Sequence, residues 1–141
     1  MYSPLAASIG RRLRKPMKAI FSIPFLLVVA LVVYVEGSLG GFMIWNVLPV
    51  AIGFGVFLIG LSSRGAIAVG CIAFAVSVTV LVALAHLAWL FDWGSIASSS
   101  STSALVFIFF PFWEILFAGI IGLVAWVVGK VVLKRSSDTS A

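Results

Sequence analysis

Residues 66–91, AIAVGCIAFAVSVTVLVALAHLAWLF, run the length of a bilayer crossing without one Asp, Glu, Lys or Arg. A hydrocarbon core of about 30 Å takes about 20 helical residues. Three further runs reach or approach that length: 19–35 (AIFSIPFLLVVALVVYV), 42–61 (FMIWNVLPVAIGFGVFLIGL) and 104–129 (ALVFIFFPFWEILFAGIIGLVAWVVG). Lipid offers backbone amides no partner, so a spanning segment closes its hydrogen bonds as a helix or in a closed barrel. Barrel strands are about 10 residues long with alternating polar positions, and these runs have neither property. The pattern predicts an all-α integral membrane protein built as a four-transmembrane-helix bundle.

Only 9% of the 141 residues are charged and 63% are hydrophobic, against about 25% charged in soluble domains. Such a chain cannot cover its own surface with polar groups, so the lipid bilayer is its expected solvent. Three parts are expected: a basic cytoplasmic segment over 1–18, a transmembrane domain over 19–129 and a basic cytoplasmic tail over 130–141. The net charge of +5 is flank chemistry rather than a nucleic-acid footprint, because all nine Lys and Arg lie outside the apolar runs.

Those charges also orient the chain. With four crossings, both ends share a side with the connection SSRG (62–65), and that side carries every Lys and Arg. Positive charge marks the cytoplasmic side, which places both termini in the cytoplasm, as in a bacterial inner membrane. Glu36 and Asp92 then face outward. Trp45, Trp89 and Trp93 fall near the outer ends of their helices and Trp126 near an inner end, where indole rings favour the headgroup level. The start, MYSPLAASIGRRLRKPMK, is compatible with a transit or signal peptide, but the first run ends in VYVEGSLGG without a small-x-small cleavage site. It is read as a retained first helix.

A glutamate inside FIFFPFWEILFAG (107–119) needs an explanation in lipid. At about 100° per residue, Glu114, Ala118, Gly122, Ala125 and Gly129 occupy an arc of about 80°, opposite Leu116, Ile120, Leu123 and Val127. Small residues allow helices to approach closely, so this stripe is predicted to face protein. By the same construction Asn46 shares a face with Gly53 and Gly60, and His86 with Ala83, Thr79, Ala75 and Ala68. The first run has no such stripe and is expected at the periphery. Pro49 and Pro111 each remove one helical hydrogen bond, predicting kinks in the second and fourth helices. At about 1.5 Å per residue, Asn46, His86 and Glu114 all fall in the outer half. They are expected to meet in a polar pocket among helices two, three and four.

Two functions fit such residues. Buried acids inside membranes mark ion pathways and proton relays, which makes Glu114, with His86 and Asn46, a candidate proton or cation site in a small, homo-oligomeric transporter or channel. Alternatively these groups lock the bundle, and the protein works by binding a partner in or just outside the bilayer, as an immunity-type or accessory subunit. The partner-binding reading is taken first here. Trp113, Phe110 and Phe112 around Glu114 form either a cation-binding aromatic wall or lipid-facing bulk. Cys71, the single cysteine, is read as a packing residue. No enzyme is expected: metal clusters, phosphate loops, nucleophile triads and paired carboxylates are missing from the sequence, and no metal or cofactor is predicted.

In size and four-helix plan the chain is similar to small multidrug transporters. Their essential glutamate lies in the first helix, whereas the membrane-embedded acid here is in the fourth. The plan also resembles immunity proteins for pore-forming bacterial toxins, which are small, polytopic and bind the toxin within the bilayer. That resemblance implies another membrane protein or a membrane-acting toxin as partner, and it assigns no residue.

Overall fold

The computed structural model describes residues 4–37, 41–98 and 105–139, with side chains for 20–37, 41–98, 105 and 107–135. Four helices follow one another: α1 (Pro4–Glu36), α2 (Gly41–Ser62), α3 (Gly65–Leu90) and α4 (Val106–Thr139), with a 3-10 turn at Trp93–Ser95. Three apolar stretches are long enough to cross a membrane: all of α2, all of α3, and Phe107–Arg135 of α4. The described apolar part of α1, Ile20–Glu36, is shorter. This is an all-α, four-helix integral membrane protein.

Helix boundaries differ from the sequence reading at the first helix. The chain is already helical at Pro4, a proline at the first helical position, where its missing N–H forfeits no helical hydrogen bond. The basic side chains of 1–18, and the serines at 99–103, lie outside the described residues. Both prolines sit within continuous helix, Pro49 in α2 and Pro111 in α4, and both are fully buried.

The ends of the helices are closed locally. Gly37, at a φ of +64°, follows α1 and its amide donates to the Val33 carbonyl at 3.0 Å, satisfying an acceptor that a helix end leaves open. At the end of α2, the Ser62 and Ser63 hydroxyls donate to the Leu58 and Ile59 carbonyls at 3.0 and 2.8 Å. After α3 the Asp92 carboxylate gathers the chain. Its Oδ1 accepts from the Ala97 and Ser98 amides at 2.8 and 3.2 Å, and Oδ2 accepts from the Ser98 hydroxyl at 2.6 Å. The described part of this connection is therefore a hydrogen-bonded turn.

Neighbouring helices run antiparallel, with α3 touching the other three. Small residues let α3 and α4 approach to backbone contact. A Cβ placed on Gly122 would stand 2.9 Å from the Phe74 Cβ and 3.1 Å from the Gly70 carbonyl, and one on Gly70 would stand 3.0 Å from the Gly122 carbonyl. Ala118 is fully buried and Gly129 rests on Ala66, whereas Ala125 is only half-buried. On the other flank of α3, Gly53 seats Val78 and Gly60 lies against Cys71.

α1 takes the peripheral position expected of it, meeting only α2 and α3 among the described residues, yet it still builds a packed interface. Phe25, Val28 and Val32 are buried in one apolar cluster with Val50, Phe57, Ala75 and Val82, and the Phe25 ring packs on Phe54 and Phe57 at 5.2 and 5.4 Å. Large side chains interdigitating across a wider gap achieve what glycines achieve by close approach, so a missing small-residue stripe did not mean a missing interface. Between α1 and α4 no contact occurs among the described residues.

Candidate functional site

The end of the bundle that carries Glu36 also carries the start of α2, the end of α3 and the start of α4. There the four helices border an open pocket of about 320 Å³, whose lining includes Glu36 from α1, Met43 and Asn46 from α2, Trp89 from α3 and Phe107 from α4. Each helix delivers a polar or aromatic side chain to one place because the antiparallel order brings their interfacial ends together.

Behind Glu36 lies His86, only 1% exposed. Its Nδ1 is 2.8 Å from the Val82 carbonyl oxygen one turn back, and its Nε2 is 3.3 Å from Glu36 Oε1. A carbonyl oxygen only accepts, so the hydrogen belongs on Nδ1. A neutral ring then has only a lone pair at Nε2, and an ionised carboxylate has only lone pairs at Oε1. Two lone pairs do not bond. The contact closes when one further proton lies between them, as imidazolium with carboxylate or as imidazole with carboxylic acid. The pair therefore links α1 to α3 through a contact that a shared proton closes. Phe107 covers the other side of the imidazole, with ring centroids 5.3 Å apart, and Trp89 meets Phe107 edge-on at 4.8 Å. Glu36 Oε2 is buried with no hydrogen-bond partner among the described residues.

The three residues singled out by sequence do not meet in one pocket. Asn46, 1% exposed, lines the four-helix pocket, but its Nδ2 donates to the Phe42 carbonyl of its own helix at 3.1 Å rather than to another helix. His86 takes Glu36 as its partner. Glu114, 4% exposed, opens instead into a separate groove of about 400 Å³ between α3 and α4. Its Oε1 has no hydrogen-bond partner among the described residues. The Trp45 indole donates to the Ile108 carbonyl at 3.0 Å, tying α2 to α4 next to Pro111.

Glu36 is the residue that sequence reasoning passed over, because it stands where the apolar run ends and reads as a loop acid. The available signal was chemical: one histidine inside an apolar run needs a partner, and Glu36 is the acid at the matching end of a helix.

Among the described residues no group of three or more His, Cys, Asp or Glu side chains is gathered to hold a metal ion. Together the fold and the buried pair define a small, mostly helical membrane-embedded protein with an intramembrane Glu36–His86 ion pair. Comparison with protein-family models, with curated proteins and with solved structures returned no match to this chain.

Proposed function

We propose that this protein is a small, non-enzymatic, proton- or cation-coupled transporter or channel of a bacterial inner membrane, with both termini cytoplasmic and the Glu36 end outward. One observation carries the reading: Glu36 and His86 meet at 3.3 Å in an arrangement that a shared proton closes, and Glu36 borders a pocket lined by all four helices. Releasing that proton leaves two lone pairs facing each other and loosens α1 from α3; regaining it restores the tether. A group that binds a proton and thereby changes a helix contact is the element proton coupling needs. Glu114 supplies a second buried carboxylate, and α3 links the two, carrying His86 on one side and a wall of the Glu114 groove on the other. Four short helices leave little room for a pathway, so the working unit is a homodimer.

Recognition of a toxin or another membrane protein rests on the small four-helix plan and on reading the buried polar groups as locks, and the connection after α3 adds no free surface for it. The described part of that connection closes on Asp92, and the buried polar groups favour transport.

The test is proton flux in proteoliposomes holding a trapped pH-sensitive dye, under opposing gradients of Na⁺, K⁺ or an organic cation. Wild-type vesicles should change internal pH faster than protein-free vesicles under at least one gradient, and Glu36→Gln should abolish the difference. No flux above protein-free vesicles under any gradient sinks the reading.

A further inference from the structure

The groove between α3 and α4 pairs two features that rarely coexist. Its walls are aromatic and aliphatic, with Trp93, Trp113, Phe117 and Leu84 each about half exposed, while Glu114, which also lines it, is more than nine-tenths buried and its Oε1 has no hydrogen-bond partner among the described residues. Among the described residues lining the groove none supplies a counter-charge. No Lys or Arg occurs between residues 19 and 63 or between 65 and 129, so a second copy packed over the groove brings none to this depth either. His86 is the one titratable side chain on the facing span of α3, and it is engaged with Glu36.

Resting on the transport reading above, we infer that this groove binds an amphiphilic organic cation: a single, shielded positive centre set in an aromatic or aliphatic body, with the charge over Glu114 and the body against Trp93, Trp113 and Phe117. The chemistry of the lining selects this class. A bare metal ion needs several oxygen ligands, and among the described residues Glu114 is the only carboxylate lining the groove. The indoles offer N–H donors only, so they cannot accept from a primary ammonium, whereas their ring faces attract a shielded cation. A neutral apolar molecule would leave the carboxylate unpaired, which is costly when buried. The volume of about 400 Å³ lies within the usual range for small-molecule sites.

The experiment is equilibrium dialysis of the purified full-length protein in detergent with radiolabelled tetraphenylphosphonium, and in parallel with tetraphenylborate, which has the same shape and opposite charge. Saturable binding of the phosphonium and not the borate is expected. Glu114→Gln should weaken it by about tenfold or more, the scale of a buried charged contact. Ala88→Trp, which fills the groove from its partly exposed α3 wall and leaves Glu114 in place, should also weaken it, with circular dichroism verifying the fold of each variant. Equal binding of both ions, or unchanged phosphonium binding in folded Glu114→Gln or Ala88→Trp, overturns the site. Proton flux with no phosphonium binding removes this inference and leaves the transporter standing; phosphonium binding with no flux under any gradient does the reverse.

Discussion

Glu36 and His86 stand 50 residues apart in sequence and meet at 3.3 Å, joining the end of α1 to the last third of α3. Glu36→Gln and Glu36→Ala separate the two roles of this contact. A glutamine amide donates to the His86 Nε2 lone pair and keeps the tether without an exchangeable proton, so its stability should stay within about 1 kcal/mol of wild type. Alanine leaves the imidazole nitrogen buried and unpaired and should cost about 1–3 kcal/mol. Unfolding in mixed micelles measures both. Equal destabilisation by the two variants would contradict the assignment of hydrogen to Nδ1.

The α3–α4 interface makes a paired prediction on neighbouring glycines. Gly122 has the Phe74 Cβ and the Gly70 carbonyl where its own Cβ would go, while Gly119 has open space there. Gly122→Ala should therefore destabilise the bundle by about 1–3 kcal/mol through overpacking. Gly119→Ala should be neutral or stabilising by up to about 1 kcal/mol, because alanine loses less backbone freedom in a helix. The same unfolding assay distinguishes them, and a Gly122→Ala protein as stable as Gly119→Ala would refute the close approach.

Asp92 predicts a pH dependence outside the membrane. The Ser98 hydroxyl first, then the Ala97 amide, hold its carboxyl below the ordinary aspartate value. A depressed folded-state value stabilises the fold above the unfolded value, and that contribution is lost as pH falls through the lowered one. Asp92→Asn should thus lower the thermal midpoint at neutral pH, and the gap to wild type should close in acid below the ordinary carboxylate range. A gap that persists undiminished in strong acid would mean that the turn does not depend on the charge.

Orientation is open to impermeant thiol labelling in a Cys71→Ala background. Cysteines introduced at Ser38 and Ser99 should react from outside intact cells, and one at Ser136 should react only after the membrane is opened. The reversed pattern would invert the pocket at Glu36 to the cytoplasmic side.

How far the sequence reaches is visible in three residues. Glu114 was placed by the wheel of its own helix on a face shared with Ala118 and Gly122, and all three are buried. The wheel gives a direction relative to one axis, however, and not what stands in that direction. The structure puts an α3–α4 groove there rather than Asn46 and His86. Glu36 had no helical-period signal, because its burial comes from the arrival of α3 beside the end of α1.

By itself the sequence determined the solvent and the number and type of elements. Apolar runs of crossing length in a chain with 9% charged residues leave helices in a bilayer as the stable solution, since backbone groups in lipid must bond within their own segment. That requirement is local and can be read from the residues concerned. Only the tertiary structure decided which polar groups meet. The pairing of Glu36 with His86 and the separation of Glu114 from both depend on which helix lies beside which and at what rotation. Those choices follow from the fit of glycines and bulky side chains summed over whole interfaces, such as Gly70 on Gly122 and Phe25 on Phe57.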